Sequence, residues 1–266
     1  MRVFDSLERP LLIGVVHLAA TPGSPGYSGS MEPLLSRAAE DARALARGGC
    51  DALIVENFGD VPFHKRRVPA ETIAALALAV ERVREAAGAL PLGINVLRND
   101  ARSALGLCAA TGAAFIRVNV HTGAASCDQG LIEGDAARTL RERARLCPGV
   151  EILADVHVKH ATPLGSETIA QAAEETLGRG LADALIVSGR ATGAAPDSDD
   201  LARVREVVQA LRAPLLIGSG LNAANAHELM RHADGAIVGT ALKRDGRVEA
   251  PVELARVQTM RAALDA

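Results

Sequence analysis

Aromatic side chains are nearly absent from this sequence of 266 residues. It contains no tryptophan, one tyrosine and four phenylalanines. Proteins that bind single-stranded nucleic acids stack the bases on aromatic side chains, so this composition argues against such a surface. The formal net charge of −3 adds no general attraction for a polyanion. We therefore expect no nucleic acid among the partners of this protein.

Long apolar runs and paired cysteine motifs are also lacking. No run reaches the length of a membrane-spanning helix, and the first residues lack the apolar core of a signal peptide. The four cysteines are widely spaced, which is typical of reduced thiols in a cytosolic protein. No linker rich in proline or serine divides the chain. The sequence thus predicts one domain, residues 1–266, in a cytoplasmic protein without a transmembrane segment.

Eight short apolar segments alternate with eight amphipathic segments of helical period. The apolar segments do not alternate with polar residues, as is typical of parallel strands buried on both faces. The predicted strands are 11–16, 52–55, 92–96, 114–118, 151–156, 184–187, 214–217 and 235–238. The predicted helices are 32–47, 69–87, 100–110, 134–146, 167–178, 199–211, 222–232 and 252–264. This pattern predicts an α/β fold, a single (β/α)8 TIM barrel. An open doubly wound sheet is the alternative.

Two of these strands, the seventh and the eighth, end in glycine and a hydroxyl residue. Backbone N–H groups and helix N-termini at such strand ends favour an anion, and TIM barrels bind phosphate after these same two strands. The predicted phosphate-binding residues are Gly218, Ser219, Gly220, Gly239 and Thr240.

Polar residues also occupy the ends of the other six strands. The carboxyl ends of the strands form the functional face of a barrel, so we expect these side chains to line one pocket at its mouth. The predicted catalytic residues are His17, Glu56, Asp155, His157 and Lys159. The predicted substrate-binding residues are Asn57, Asn95, Arg117, Asn119, Ser188 and Thr192, and Arg190 lies in the same loop as Thr192.

The pattern Asp155-x-His157-x-Lys159 is the most specific local signal. In an extended strand these three residues point the same way. The lysine could clamp a phosphate, exchange a proton, form a Schiff base or make a structural ion pair. His17, Glu56, Asp155 and His157 could instead converge on a divalent metal, but acid–base chemistry is the simpler interpretation, and we assign no metal ligand. No organic cofactor is implied.

Several longer strings resemble the BtpA/SgcQ family. They are Gly14-Val15-Val16-His17-Leu18, the stretch from Val55 to Phe63, the stretch from Gly93 to Asp100, the stretch from Phe115 to Val120, the stretch from Ala154 to Ala161, and Gly218-Ser219-Gly220. The resemblance extends from about residue 12 to residue 245 and implies a barrel like those that bind ribulose phosphate. The family takes its name from a cyanobacterial protein implicated in photosystem I accumulation, and some members are labelled phosphoribosylanthranilate isomerases.

Three functions fit these observations. The first is an enzyme that isomerises, epimerises or cleaves a phosphorylated sugar or nucleoside-like metabolite, with Asp155 and Lys159 as the essential pair. The second is a non-catalytic assembly or stability factor for photosystem I, which the family resemblance alone implies. The third is a nucleosidase-like hydrolase that uses the carboxylates of Glu56 and Asp155. We also expect the protein to form a homo-oligomer.

Overall fold

The protein is a closed barrel, as predicted, in a computed structural model that describes residues 10–165, 168–189 and 191–266. The strands of these residues are β1 (Leu11–His17), β2 (Ala52–Glu56), β3 (Leu92–Asn95), β4 (Phe115–Val118), β5 (Ala124–Cys127), β6 (Gly130–Glu133), β7 (Glu151–Val156), β8 (Ala161–Pro163), β9 (Ala184–Val187), β10 (Leu215–Ile217) and β11 (Gly235–Val238). The barrel order is β1-β2-β3-β4-β7-β9-β10-β11, with every pair parallel and β11 closing onto β1.

Helices cover the outside of the barrel. They are α1 (Glu32–Arg47), α2 (Ala70–Ala87), α3 (Ala101–Thr111), α4 (Ala136–Leu146), α5 (Ile169–Gly178), α6 (Ser198–Leu211), α7 (Ala226–Leu229) and α8 (Leu254–Asp265). Side chains fix the start of several. Asp100 caps α3 by accepting a hydrogen bond from the Ser103 N–H, and Thr168 with Gln171 forms a capping box at α5.

Alternate residues of the barrel strands pack together as an apolar cluster of their own. This cluster includes Ile13, Ile54, Phe115 and Ile186, whereas the intervening residues pack against the helices. The period of two along each strand therefore separates an inner set from an outer set. Gly93 belongs to the inner face of β3, where a β-carbon would lie 2.0 Å from the Phe115 ring. The ring takes up the space that glycine leaves.

A small antiparallel sheet was not predicted. It has the order β6-β5-β8 and is built from the segments that follow β4 and β7. Arg66, in the segment after β2, makes an ion pair of 2.6 Å with Glu133 of β6. The sheet therefore lies beside the loop that follows β2, on the same side of the barrel as the strand ends.

The helix predicted at 222–232 is wrong in extent. Its α-helical part is the four residues of α7, followed by a 3-10 turn at Met230–His232. The Asn222 side chain instead accepts the N–H groups of Ala224 and Asn225, which makes a turn just before α7. In the described ranges, no helix is both long and apolar enough to cross a membrane.

Candidate active site at the barrel mouth

The inner face of the barrel continues into polar residues at the carboxyl ends of the strands. Two positions after an inward apolar residue, each of five strands carries a polar side chain. These are His17, Glu56, Asn95, Arg117 and Asp155. His17 pairs in register with Glu56, and Glu56 with Asn95, so neighbouring strands bring them to one level.

Arg117 and Asp155 form a buried, two-pronged ion pair. The Nε and Nη2 atoms of Arg117 each lie 2.8 Å from one carboxylate oxygen of Asp155. Asn119 donates to the same carboxylate at 3.0 Å, and the Ser188 hydroxyl donates to it at 3.3 Å. Burial lowers the pKa of Arg117, but the Asp155 carboxylate outweighs that effect and the net shift is upward. Asp155 thus holds Arg117 charged and in place.

The contacts of Asp155 differ from those expected for a catalytic pair with Lys159. The Asp155 side chain has no exposed surface, and both of its oxygens accept hydrogen bonds. Two larger cavities open at the mouth, of about 390 and 440 Å³, and Asp155 lines neither of them. Among the described residues, it makes its ion pair with Arg117 and none with Lys159. The arginine reaches the carboxylate because Arg117 and Asp155 stand on adjacent strands. Asp155 is therefore a positioning residue in this geometry.

His157 and Asn57 also lie away from the two larger cavities. His157 has φ of +51°, so the chain leaves the extended conformation after Val156 and the predicted alternation stops there. Its side chain lines a small separate cavity of about 40 Å³. The Asn57 amide is buried, accepts the Leu97 N–H at 2.7 Å and donates to Asp60 at 3.0 Å. These bonds join two loops of the protein and leave Asn57 no place in the pocket.

Glu56 and His17 both line the cavity of about 390 Å³. Asn95 donates to one oxygen of Glu56 at 2.6 Å, and the other oxygen lies 3.9 Å from Nε2 of His17. The His17 ring packs on Phe58 with a centroid distance of 4.6 Å. Burial, and then the charges of Lys243 and Lys159, hold the pKa of His17 well below its ordinary value. His17 is therefore a neutral imidazole at neutral pH.

Lys159 stands at the centre of the mouth and lines both larger cavities. In the part of the chain that the structure describes, its ammonium group has no hydrogen bond or ion pair. Arg98 holds the segment in place by donating to the Lys159 carbonyl at 2.6 Å. Burial, followed by the charge of Arg117, lowers the pKa of the Lys159 amine. A partly buried amine without a protein partner is available to a ligand.

The cavity that contains the glycine-rich strand ends has a volume of about 390 Å³. Its lining includes the five predicted phosphate-binding residues, together with His17, Glu56, Arg117, Lys159 and Thr192. Within the described residues, no protein acceptor takes the N–H groups of Gly220, Leu221, Thr240 and Ala241. A β-carbon on Gly239 would lie 2.5 Å from the His17 ring, so glycine lets the backbone approach that ring.

The Ser219 hydroxyl has an internal role. It accepts the Gly189 N–H at 3.1 Å and donates to the Ala194 carbonyl at 3.2 Å. The loop after β9 is therefore fastened to the loop after β10. Gly220 has φ of +75°, and a β-carbon there would lie 2.1 Å from the Ala194 oxygen. The loop containing Thr192 is also held by His160, whose Nε2 lies 3.0 Å from the Thr192 hydroxyl. Arg190, predicted in the same loop, lies outside the described residues.

A metal centre has no ligand set in the described ranges, where no three histidine, cysteine or acidic side chains come together in a suitable arrangement. Of the metal ligands considered from the sequence, His17 and Glu56 are neighbours, whereas Asp155 is bound by Arg117.

Sequence reasoning missed one side of the mouth. Phe58, Val61 and Phe63 of the loop after β2, with Leu97 after β3, line a second cavity of about 440 Å³. The string from Val55 to Phe63 carries part of the family resemblance, but apolar residues in a loop carry no chemical signal by themselves. Their clustering in a chain with so few aromatic residues was the available sign.

Comparison with known proteins agrees with this architecture. A sequence profile of the BtpA family matches residues 8–265. A relative from Synechocystis, the photosystem I biogenesis protein BtpA, is 47% identical over 92% of this chain and 85% of its own length.

Two solved structures share the fold at low sequence identity. Thiamine phosphate pyrophosphorylase from Pyrococcus furiosus superposes with a TM-score of 0.59, 15% identity and coverage of 96% of this chain and 95% of its own. N-(5'-phosphoribosyl)anthranilate isomerase from the same organism superposes with a TM-score of 0.55 and 16% identity. The match covers 96% of this chain and 99% of that enzyme.

Proposed function

The chain belongs to the BtpA family, and from the geometry of its barrel mouth we propose that it is an enzyme acting on a phosphorylated sugar or nucleoside-like metabolite. The reaction is acid–base chemistry at carbon, of the isomerase, epimerase or aldolase type. One observation carries the proposal: a single cavity extends from the glycine-rich strand ends to the side chains of Glu56 and Lys159. A phosphate anchored at one end positions the reacting carbon at the other.

The phosphate end is built from backbone. The N–H groups near Gly220 and Thr240 have no acceptor among the described residues, and N–H groups of this kind bind phosphate well. Support comes from the fold, since the two solved structures named above are enzymes whose names include phosphorylated compounds. In TIM barrels phosphate commonly binds after the seventh and eighth strands.

The reactive end contains a carboxylate and an amine. Glu56 has one oxygen bound by Asn95 and the other turned towards His17, so that second oxygen can accept a proton from carbon. The lowered pKa of Lys159 makes its ammonium a better proton donor, and its neutral form a nucleophile towards a carbonyl. Arg117, held by Asp155, adds a fixed positive charge that stabilises an enolate-like intermediate.

We expect inorganic phosphate to shift the amide resonances of Gly220 and Thr240 in a ¹⁵N-labelled sample. The variant Gly220→Val should abolish binding of phosphate and of sugar phosphates in calorimetry, because its side chain would meet the Ala194 carbonyl and displace the loop. Gly149→Val is the matched control, since a β-carbon there meets no atom within 4 Å. Thermal unfolding checks that both variants are folded. Phosphate binding that survives in Gly220→Val would contradict this site.

A non-catalytic role in photosystem I biogenesis is the second candidate, favoured by the 47% identity to the Synechocystis protein. Lys159→Met and Glu56→Gln separate the two functions. If the protein is an enzyme in which both groups transfer protons, each variant should lower turnover at least about 100-fold, once a substrate is found by metabolite screening. If the protein is instead a non-catalytic factor, both variants should still support photosystem I in a Synechocystis strain that lacks its own BtpA.

Lys159→Met, together with a trapping experiment, tests the role of Lys159. Borohydride trapping of the substrate on this residue would assign Schiff-base chemistry to it, while a loss of affinity alone would make it a clamp. Hydrolysis by paired carboxylates, the third function considered, has little support because both oxygens of Asp155 are already bound by Arg117.

A further inference from the structure

The second cavity at the mouth has no part in the chemistry described above. It shares the walls formed by Glu56, Arg117, Lys159 and Thr192 with the phosphate-side cavity, so the two are adjoining lobes of one mouth. Each lobe, at about 390 and 440 Å³, is within the size range of a small-molecule site by itself. A small sugar phosphate bound at the proposed phosphate site would need only the first of them.

The far wall of this second lobe is apolar and aromatic. Phe58, Val61, Phe63 and Leu97 line it, and Val61 is 57% exposed. The whole sequence has only five phenylalanine and tyrosine residues, yet two of them, Phe58 and Phe63, are placed here. Among the described residues, Phe115 is the one aromatic side chain in the buried core. Flat, rigid side chains at a ligand cavity favour stacking against a flat ligand.

Two side chains that line the same lobe each carry a buried polar atom without a partner among the described residues. Nε of Arg98 is a buried donor and Oδ1 of Asn119 is a buried acceptor. The Asn119 amide cannot be turned round without loss, because its nitrogen donates to Asp155 at 3.0 Å. Buried polar atoms normally have a partner, so a ligand with both an acceptor and a donor on its edge would satisfy them.

We propose that the second lobe binds a planar nitrogen heterocycle carried by the phosphorylated sugar, which makes the substrate nucleotide-like. This inference rests on the proposed phosphate site in the first lobe. The ring stacks against Phe63 and Phe58, its edge reaches Arg98 and Asn119, and the sugar lies at the shared wall beside Glu56 and Lys159.

The test is calorimetry with ribose 5-phosphate, the four common nucleoside 5'-monophosphates and the corresponding free nucleosides. At least one nucleotide should bind the wild-type protein about tenfold more tightly than ribose 5-phosphate does, because stacking of a base contributes that much. Phe63→Ala should remove this advantage and leave the affinity for ribose 5-phosphate unchanged, while Phe63→Tyr should retain it. Leu78→Ala, which removes an exposed apolar side chain from α2 outside both lobes, is the control.

The outcomes separate the second lobe from the phosphate site. Nucleotides that bind no better than ribose 5-phosphate, or that bind Phe63→Ala as well as wild type, would overturn the ring lobe and leave the phosphate site standing. Free nucleosides that bind in a Phe63-dependent manner, without any benefit from phosphate, would support the ring lobe and contradict the proposed phosphate site. No binding by any probe would reject both.

Discussion

Asp155 and Arg117 show how the mouth depends on single residues. Each has almost no contact with solvent, and the carboxylate is the partner that compensates the guanidinium charge. Removing one member of a buried pair is costly because it leaves the other charge buried without compensation.

We therefore expect Asp155→Asn to destabilise the protein by about 3–5 kcal/mol, as measured by urea unfolding. This differs from the effect of a catalytic carboxylate at the surface of a pocket, whose loss costs activity and little stability. Asp200→Asn is the control, since the ion pair of Asp200 with Arg203 is exposed and its loss should cost less than about 1 kcal/mol. Equal stability of the two variants would contradict the structural role of Asp155.

Sequence patterns at the residue scale predicted which side chains point inward but not which of them pair. The period of two placed His17, Glu56 and Arg117 at the mouth, where the structure has them. The pairing of Arg117 with Asp155 depends on the geometry across two adjacent strands, which no local spacing encodes. His157 was misplaced because its positive φ ends the extended chain, a backbone conformation that is uncommon for any residue other than glycine.

At the scale of elements, the loops after β9 and β10 act as one unit. The Ser219 hydroxyl bridges Gly189 and Ala194, and the missing side chain of Gly220 leaves room for the Ala194 carbonyl. The position of the proposed phosphate site is therefore set by contacts between loops as well as by the strand ends.

The barrel strands were predicted closely because each is a short buried run between polar segments. For example, the strands predicted at 151–156 and 184–187 are β7 and β9. The sheet of β5, β6 and β8 was missed because its strands are three or four residues long and have no sustained apolar pattern. The Asn222 turn replaced the start of a predicted helix, since its side chain competes for backbone N–H groups.

For the whole molecule, the buried histidine at the mouth couples stability to pH. The pKa of His17 is lowered by burial in the folded state, whereas an unfolded chain has an ordinary histidine pKa of about 6.5. As the pH falls below that value, the unfolded chain takes up a proton that the folded one refuses. Folding stability is therefore complete above the unfolded pKa and is lost as the pH decreases towards the folded pKa.

We expect His17→Asn to reduce the loss of folding stability at low pH, by up to about 1.4 kcal/mol for each pH unit below about 6.5. Urea unfolding of both proteins between pH 7.5 and pH 5.5 measures the difference. His227→Asn is the control. If wild type and His17→Asn keep parallel pH profiles, His17 is not the group responsible.

The single domain, the cytoplasmic location and the homo-oligomer stay predictions.

The scarcity of aromatic rings also has an optical consequence. Without tryptophan and with Tyr27 as the sole tyrosine, the protein is nearly transparent at 280 nm, and its phenylalanines absorb only weakly near 260 nm. A heterocycle held between Phe58 and Arg98 would dominate the ultraviolet spectrum of the purified protein. A ligand carried through purification would thus be visible in an ordinary absorbance scan, before any assay for it exists.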